Sequence, residues 1–234
     1  MKNTIKLLLA TASVALLAAC GGGGGGGTQT PVASTSSFNL LSAYVSSFAN
    51  TSTSTFTITG SQDAIVITGS GSGTTGALSS GTFEGGPAQQ RTSSVTGSFI
   101  VNGQSFPLNY SSVAWVNSNY SPLGSEGDEY TVVVGTPTIP TAAKVGDTGP
   151  LYIANRYTNS SKTVPLGTII STYVVEQDTT STALVTFIST YKNTSNTTEQ
   201  IVSAQYRINT ANAFTRIKET AFNLTSGLTL TFTF

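Results

Sequence analysis

From Phe38 onward two hydrophobic rhythms run along the chain, and most of it follows the shorter one. Thr55-Phe56-Thr57-Ile58-Thr59 alternates polar and apolar residues with period two, and Ala64-Ile65-Val66-Ile67-Thr68 follows after a Gly-Ser-Gln-Asp turn. Alternation of this kind puts one set of side chains on each face of a half-buried strand. Ser98–Val101 and Gln104–Phe106 flank Asn102-Gly103. That dipeptide supplies the two positive φ angles of a type I′ turn and predicts a hairpin. Val113–Val116 and Tyr130–Val134 read as further strands. Beyond residue 150 the pattern predicts a long antiparallel meander: Leu151–Thr158, Thr168–Glu176, Thr182–Lys192, Glu199–Asn209, Phe214–Asn223 and Leu228–Phe234. Polar turn material such as Gln177–Thr180 and Asn193–Asn196 separates these strands. The last strand alternates Leu228, Leu230, Phe232 and Phe234 with Thr229, Thr231 and Thr233, one face buried and the other wet. The longer rhythm occurs once. Phe38, Leu41, Val45 and Phe48 fall at three- and four-residue spacing, which predicts a short helix packed on the sheet with Ser36 or Ser37 as its N-cap.

The expected fold class is therefore all-β: an antiparallel sandwich, or a curved meander or partly open barrel. It would comprise one or two β units and at most one short N-terminal helix. Residues 37–136 form the first unit and residues 151–234 the C-terminal meander. The segment 137–150, with Pro137, Pro140 and Pro150, reads as a connector. Asn117-Ser118-Asn119-Tyr120-Ser121-Pro122-Leu123-Gly124 recurs loosely within Tyr157–Gly167, a hint of internal duplication. A body of this size can bury roughly 70% of its unfolded surface, so it needs no disulfide.

Composition narrows the chemistry. The 234 residues include no histidine and one cysteine. A Ser-His-Asp triad, a Cys-His dyad, a histidine-ligated metal and an internal disulfide are all excluded. Ten basic and ten acidic side chains balance, and no basic run is present, which argues against nucleic acid as a partner. Ser and Thr together make up about 30% of the chain. Threonine is β-branched, so it serves the wet face of a strand without loss of strand propensity.

The first twenty residues say where the chain goes. Lys2 and Lys6 form a positive n-region, Leu7–Ala19 is apolar, and the small residues Ala18 and Ala19 stand before Cys20. This is the pattern of a bacterial export signal over residues 1–19. Its 13-residue apolar stretch, at 1.5 Å per residue, spans about 20 Å against a hydrocarbon core of roughly 30 Å. Leu17-Ala18-Ala19-Cys20 resembles the lipobox of bacterial lipoproteins. The resemblance implies a diacylglycerol on the Cys20 thiol, cleavage between Ala19 and Cys20, and acylation of the new amine, typically with palmitate. Gly21 at the next position implies sorting to the outer membrane. Residues 20–36 contain the run Gly21–Gly27 and no apolar face, and read as a disordered tether with a root-mean-square reach of about 20–25 Å. With Lys144–Gly149 and Tyr206-Arg207-Ile208, the body resembles small Gram-negative lipoproteins with a polyglycine tether. That resemblance implies no activity.

Candidate chemistry is sparse. Glu126-Gly127-Asp128-Glu129 is the one acidic cluster. Glu126, Asp128 and Glu129 are weak Ca²⁺ candidates, and a solvated turn is the plainer reading. A carboxylate pair drawn from Glu84, Glu126, Asp128, Glu129, Asp147, Glu176 and Asp178 would suit a glycan hydrolase that needs no histidine. Arg156, Arg207 and Arg216 are expected on solvent faces, paired across strands with Glu176, Glu199 or Glu219. Trp115 is expected in the core. Phe234 either closes that core or mimics the C-terminal signal of a membrane barrel. The leading expectation is an outer-membrane-anchored lipoprotein, facing either the periplasm or the cell surface. It would be a non-enzymatic binding or envelope-structural module without a cofactor. Its partners would be the membrane through Cys20 and an envelope protein, a glycan or an apolar ligand. The alternative is the hydrolase.

Overall fold

The computed structural model describes residues 33–234. The predicted export signal over residues 1–19, the predicted lipid-attachment residue Cys20 and residues 21–32 of the predicted tether lie outside the described residues. One α-helix, α1 (Leu40–Ala49), and thirteen strands follow one another. The strands are β1 (Ser52–Gln62), β2 (Ile65–Thr75), β3 (Ser79–Phe83), β4 (Gly86–Val101), β5 (Gln104–Val116), β6 (Pro122–Glu126), β7 (Tyr130–Val134), β8 (Thr148–Tyr157), β9 (Pro165–Gln177), β10 (Thr182–Lys192), β11 (Thr198–Asn209), β12 (Phe214–Asn223) and β13 (Thr229–Thr233).

Every ladder is antiparallel, and the sheet closes on itself. From β4 to β13 each strand pairs with the next, β13 returns to β1, and β2 pairs with the second half of β4. Twelve strands thus form a closed barrel. Closure removes the exposed edges that would template aggregation. β3 stands outside the ring, paired with the first half of β4. The stretches 37–136 and 151–234 are adjacent walls of one sheet, joined by the β7–β8 ladder, and β8 begins within 137–150.

The period-two patterns set the two faces. Phe56, Ile58, Ile67, Phe99, Leu230 and Phe232 point inward and are buried. Thr55, Thr57, Thr59, Thr68, Ser72, Thr96, Thr231 and Thr233 point outward, aligned across β13, β1, β2 and β4. The outward positions of β13, β1, β2, β4 and β5 carry no charged residue. A membrane-spanning barrel has the opposite arrangement, with an apolar band facing lipid. Phe234 packs inside, its ring 5.7 Å from Phe56.

Four hairpins share one turn. Asn117, Asn159, Asn193 and Asn209 each accept, at the side-chain oxygen, the backbone N–H two residues on, and all but Asn159 also accept the N–H four residues on. The residue three places on has positive φ in every case: Tyr120, Lys162, Asn196 and Asn212. Asparagine favours such turns because its short side chain bonds the local backbone. The apparent duplication of Asn117–Gly124 is this turn used twice, once at each end of the barrel.

A barrel of about eight strands is just filled by side chains, and twelve leave a wider lumen. Helix α1 plugs one mouth. Leu40 and Ala43 pack with Val175, Val185, Ala204 and Ile208 from β9 to β11, while Phe48 packs against Ala114 and Val116 of β5. The helix therefore spans the opening instead of lying on the sheet. Its cap is Asn39, not Ser36 or Ser37: the Asn39 side chain accepts the Ser42 N–H at 2.8 Å. Ten residues are too few for a stable helix in water, so packing and tethering hold it. Buried Arg91 donates to the Ser47 and Phe48 carbonyls at 2.8 and 3.0 Å and stacks on the Phe48 ring at 4.1 Å.

Gly167, at φ 126°, tests the β9–β10 wall. A Cβ there would lie 1.9 Å from the Lys192 carbonyl oxygen. Gly167→Ala is expected to lower stability by roughly 2–4 kcal/mol in chemical denaturation; an unchanged midpoint would contradict this packing.

Candidate functional site

The plug and the inward side chains leave a cavity of about 130 Å³ against the wall from β5 to β11. Tyr44 of α1 forms its ceiling, and Tyr152, Phe187 and Tyr191 supply further rings. Ser112, Ser125, Thr131, Ser171 and Ser189 place hydroxyls between them. Ser125 and Thr131 bond each other at 2.8 Å. Tyr152 and Ser171 both line the cavity. Burial pushes the Tyr44 and Tyr152 phenols above the usual range, so both stay neutral at physiological pH.

Short strands give the cavity its mouth. β5 pairs with β6 only over Val113–Val116, so Gln104–Ser112 have no β6 neighbour. The β6–β7 turn stops beside this notch, and its exposed Gly127 borders the cavity. A side chain at Gly127 would meet the Tyr110 hydroxyl at 2.5 Å, so the ring of Tyr110 stands at the opening.

Glu129 belongs to an ion pair. Arg156 donates from Nε and Nη2 to the two Glu129 oxygens at 2.8 and 2.7 Å. Its Nη1 donates to the Lys192 carbonyl at 3.1 Å and to Glu199 at 3.4 Å, and the guanidinium lies 5.1 Å from the Tyr191 ring. Arg156 was expected on a solvent face and is instead buried, with its inward direction set by Ala154 on the same face. Arg216, also expected on a solvent face, is buried as well. A bulge at Gln205/Tyr206 turns both Arg216 and Glu219 into the lumen, where they pair and Arg216 stacks on Phe234 at 4.0 Å. Burial raises the Glu219 carboxyl, and Arg216 opposes that rise. Arg207 does face outward and pairs with Asp178 at 2.7 Å.

The remaining carboxylates are spread out. Glu84 pairs with Lys162, Asp147 accepts the Lys144 N–H, Asp178 holds Arg207, and Glu176 accepts from Thr186. Glu126 and Glu129 border the cavity, and Glu129 has both oxygens on Arg156. Asp128 lies exposed in the β6–β7 turn. Among the described residues no three acidic or Cys side chains gather as a metal-ligand set.

Trp115 is buried, but on the outer wall. The β3–β4 hairpin folds across β5–β7 and sets Phe83 against Trp115 and Tyr130, each 5.5 Å away. Gly124 leaves the space for the Phe83 ring, which a Cβ would meet at 2.5 Å. At the hairpin tip, Glu84 accepts the Tyr130 hydroxyl at 2.7 Å and pairs with Lys162. The sequence reading missed the cavity residues. Their signal is small polar residues at inward positions: Ser171 between Ile169 and Tyr173, and Ser189 between Phe187 and Tyr191.

No family model, curated protein or solved structure matches this chain.

Arg156→Met leaves Glu129 buried without its cation and is expected to cost about 3–5 kcal/mol in urea unfolding. Adding Glu129→Leu should restore most of that loss; if the double variant is as unstable as the single one, the pair is not the cause. The hairpin tip responds to acid. Lys162 first, and then the Tyr130 hydroxyl, hold the Glu84 carboxyl below its ordinary value of 4.5. Its stabilisation is complete above that value and is lost as pH falls through the depressed one. Glu84→Gln should therefore flatten the acid limb of Tm against pH below about 4.5; an unaltered limb would remove Glu84 from the account.

Proposed function

We propose that this chain is a lipid-anchored, non-enzymatic binding barrel of the bacterial outer membrane, which holds a small guest in its lumen. The observation that carries the reading is the cavity with its side mouth, in a barrel whose outer wall carries no charge and many hydroxyls over five strands. Rings and hydroxyls are what a small-molecule site presents: an apolar lining with a few placed polar groups. Glu129 supports binding over hydrolysis, because Arg156 holds both of its oxygens. A general acid or nucleophile needs a carboxylate that can take or give a proton at the substrate.

The anchor rests on Leu17-Ala18-Ala19-Cys20 and the glycine run that follows. The hydroxyl-rich exterior favours a barrel that sits in water beside the membrane over one that spans it. Two or three acyl chains on Cys20 would make the attachment effectively permanent, since one chain alone binds only marginally.

Cys20→Ala should move the protein from the membrane fraction to the soluble envelope fraction, and intact mass spectrometry should show the loss of acyl mass at the N-terminus. Unchanged fractionation together with an unmodified wild-type N-terminus would end the lipoprotein reading.

A further inference from the structure

We infer that the guest is a neutral single- or fused-ring molecule that carries one hydroxyl or ring N–H donor, of the size of phenol or indole. The inference rests on the reading of the barrel as a binding module and names what that module takes.

Size comes first. The cavity holds about 130 Å³. An engineered apolar cavity of roughly 150 Å³ in another protein binds benzene. A single ring is therefore enclosed whole, whereas an acyl chain or a sugar unit with its hydration shell would protrude through the mouth. The wall chemistry comes next. Tyr44, Tyr152, Phe187 and Tyr191 offer ring faces and edges, and rings prefer offset or edge contacts with one another.

Polarity and charge then select among ring compounds. Ser112 and Ser189 face the cavity, and neither hydroxyl has a hydrogen-bond partner among the described residues. Glu129 lends its two oxygens to Arg156, yet a carboxylate offers about four acceptor sites, so it can still accept from a guest. The charged side chains that border the cavity are Glu126 and Glu129. An anionic guest would meet the Glu126 carboxylate and a Glu129 already neutralised by Arg156, with no Lys or Arg in the lining to receive its charge. A purely hydrocarbon guest would leave the serine hydroxyls unsatisfied. A neutral ring with one donor answers both conditions.

The test uses the folded chain from residue 20 onward with Cys20→Ala, followed by calorimetry and thermal shift with four probes. Phenol and indole should bind and raise Tm. Toluene, the same size without a donor, should bind about tenfold more weakly, the value of one net hydrogen bond. Benzoate should not bind. Ala154→Leu fills the cavity from β8 and should abolish phenol binding while near-ultraviolet circular dichroism stays native. Ser189→Leu blocks it from β10 and keeps the test valid if the first variant does not fold. Toluene binding as tightly as phenol, or benzoate binding at all, would overturn the guest class and leave the binding barrel standing. Phenol binding that persists in both filled variants would overturn the assignment to this cavity. Silence from phenol, indole and toluene alike would bring down the binding reading itself.

Discussion

A ring of twelve antiparallel strands encloses more space than the side chains of its own wall can fill. That excess width governs the rest of the molecule. Helix α1 lies in the mouth because the lumen must be occupied there, and the large inward rings of Phe56, Phe99, Phe232 and Phe234 serve the same end deeper down. What they leave over is the cavity. A narrower barrel would have no room for it, and a wider one would need a second plug.

Width also explains why charged groups are tolerated inside. Arg91, Arg156 and Arg216 are all buried, and each is engaged: by helix carbonyls, by Glu129, and by Glu219 with a ring beneath. A guanidinium is weakly hydrated and planar, so it can lie on an aromatic face while donating in its own plane. Three such groups fill volume that aliphatic residues would otherwise occupy. They also fix which element meets which, since each pairing is lost on a one-residue slip of register.

The strand pattern was legible where alternation is unbroken and bounded by polar turns. Thr182–Lys192 and Phe214–Asn223 coincide with β10 and β12 to the residue, and Asn102-Gly103 forms its predicted hairpin with φ of 51° and 77°. β3, β6 and the start of β4 were not legible, because Ser-Ser-Gly-Thr and Gly-Pro-Ala-Gln-Gln carry no apolar alternation; they are strands through their neighbours and through Phe83. Closure was invisible for a different reason. The β1–β13 ladder joins the two ends of the folded chain, and no local pattern records a pairing that distant. The directions of Arg156 and Arg216 were misjudged because a cation inside a strand was read as belonging to the wet face, and the bulge that brings Arg216 and Glu219 to one face has no sequence mark. The cavity residues were written in the alternation all along, as serines at inward positions, but only closure gives that inward face a lumen.

The β1–β13 ladder also sets an order in time. The strand next to the first is the last to be made, so the ring stays open until Thr229–Thr233 is available. Long-range pairing of this kind is slow, because the loop must close before the contacts reward it. Until that ladder forms, the wall is a curved sheet with β1 and β13 as free edges: it has two faces but no interior.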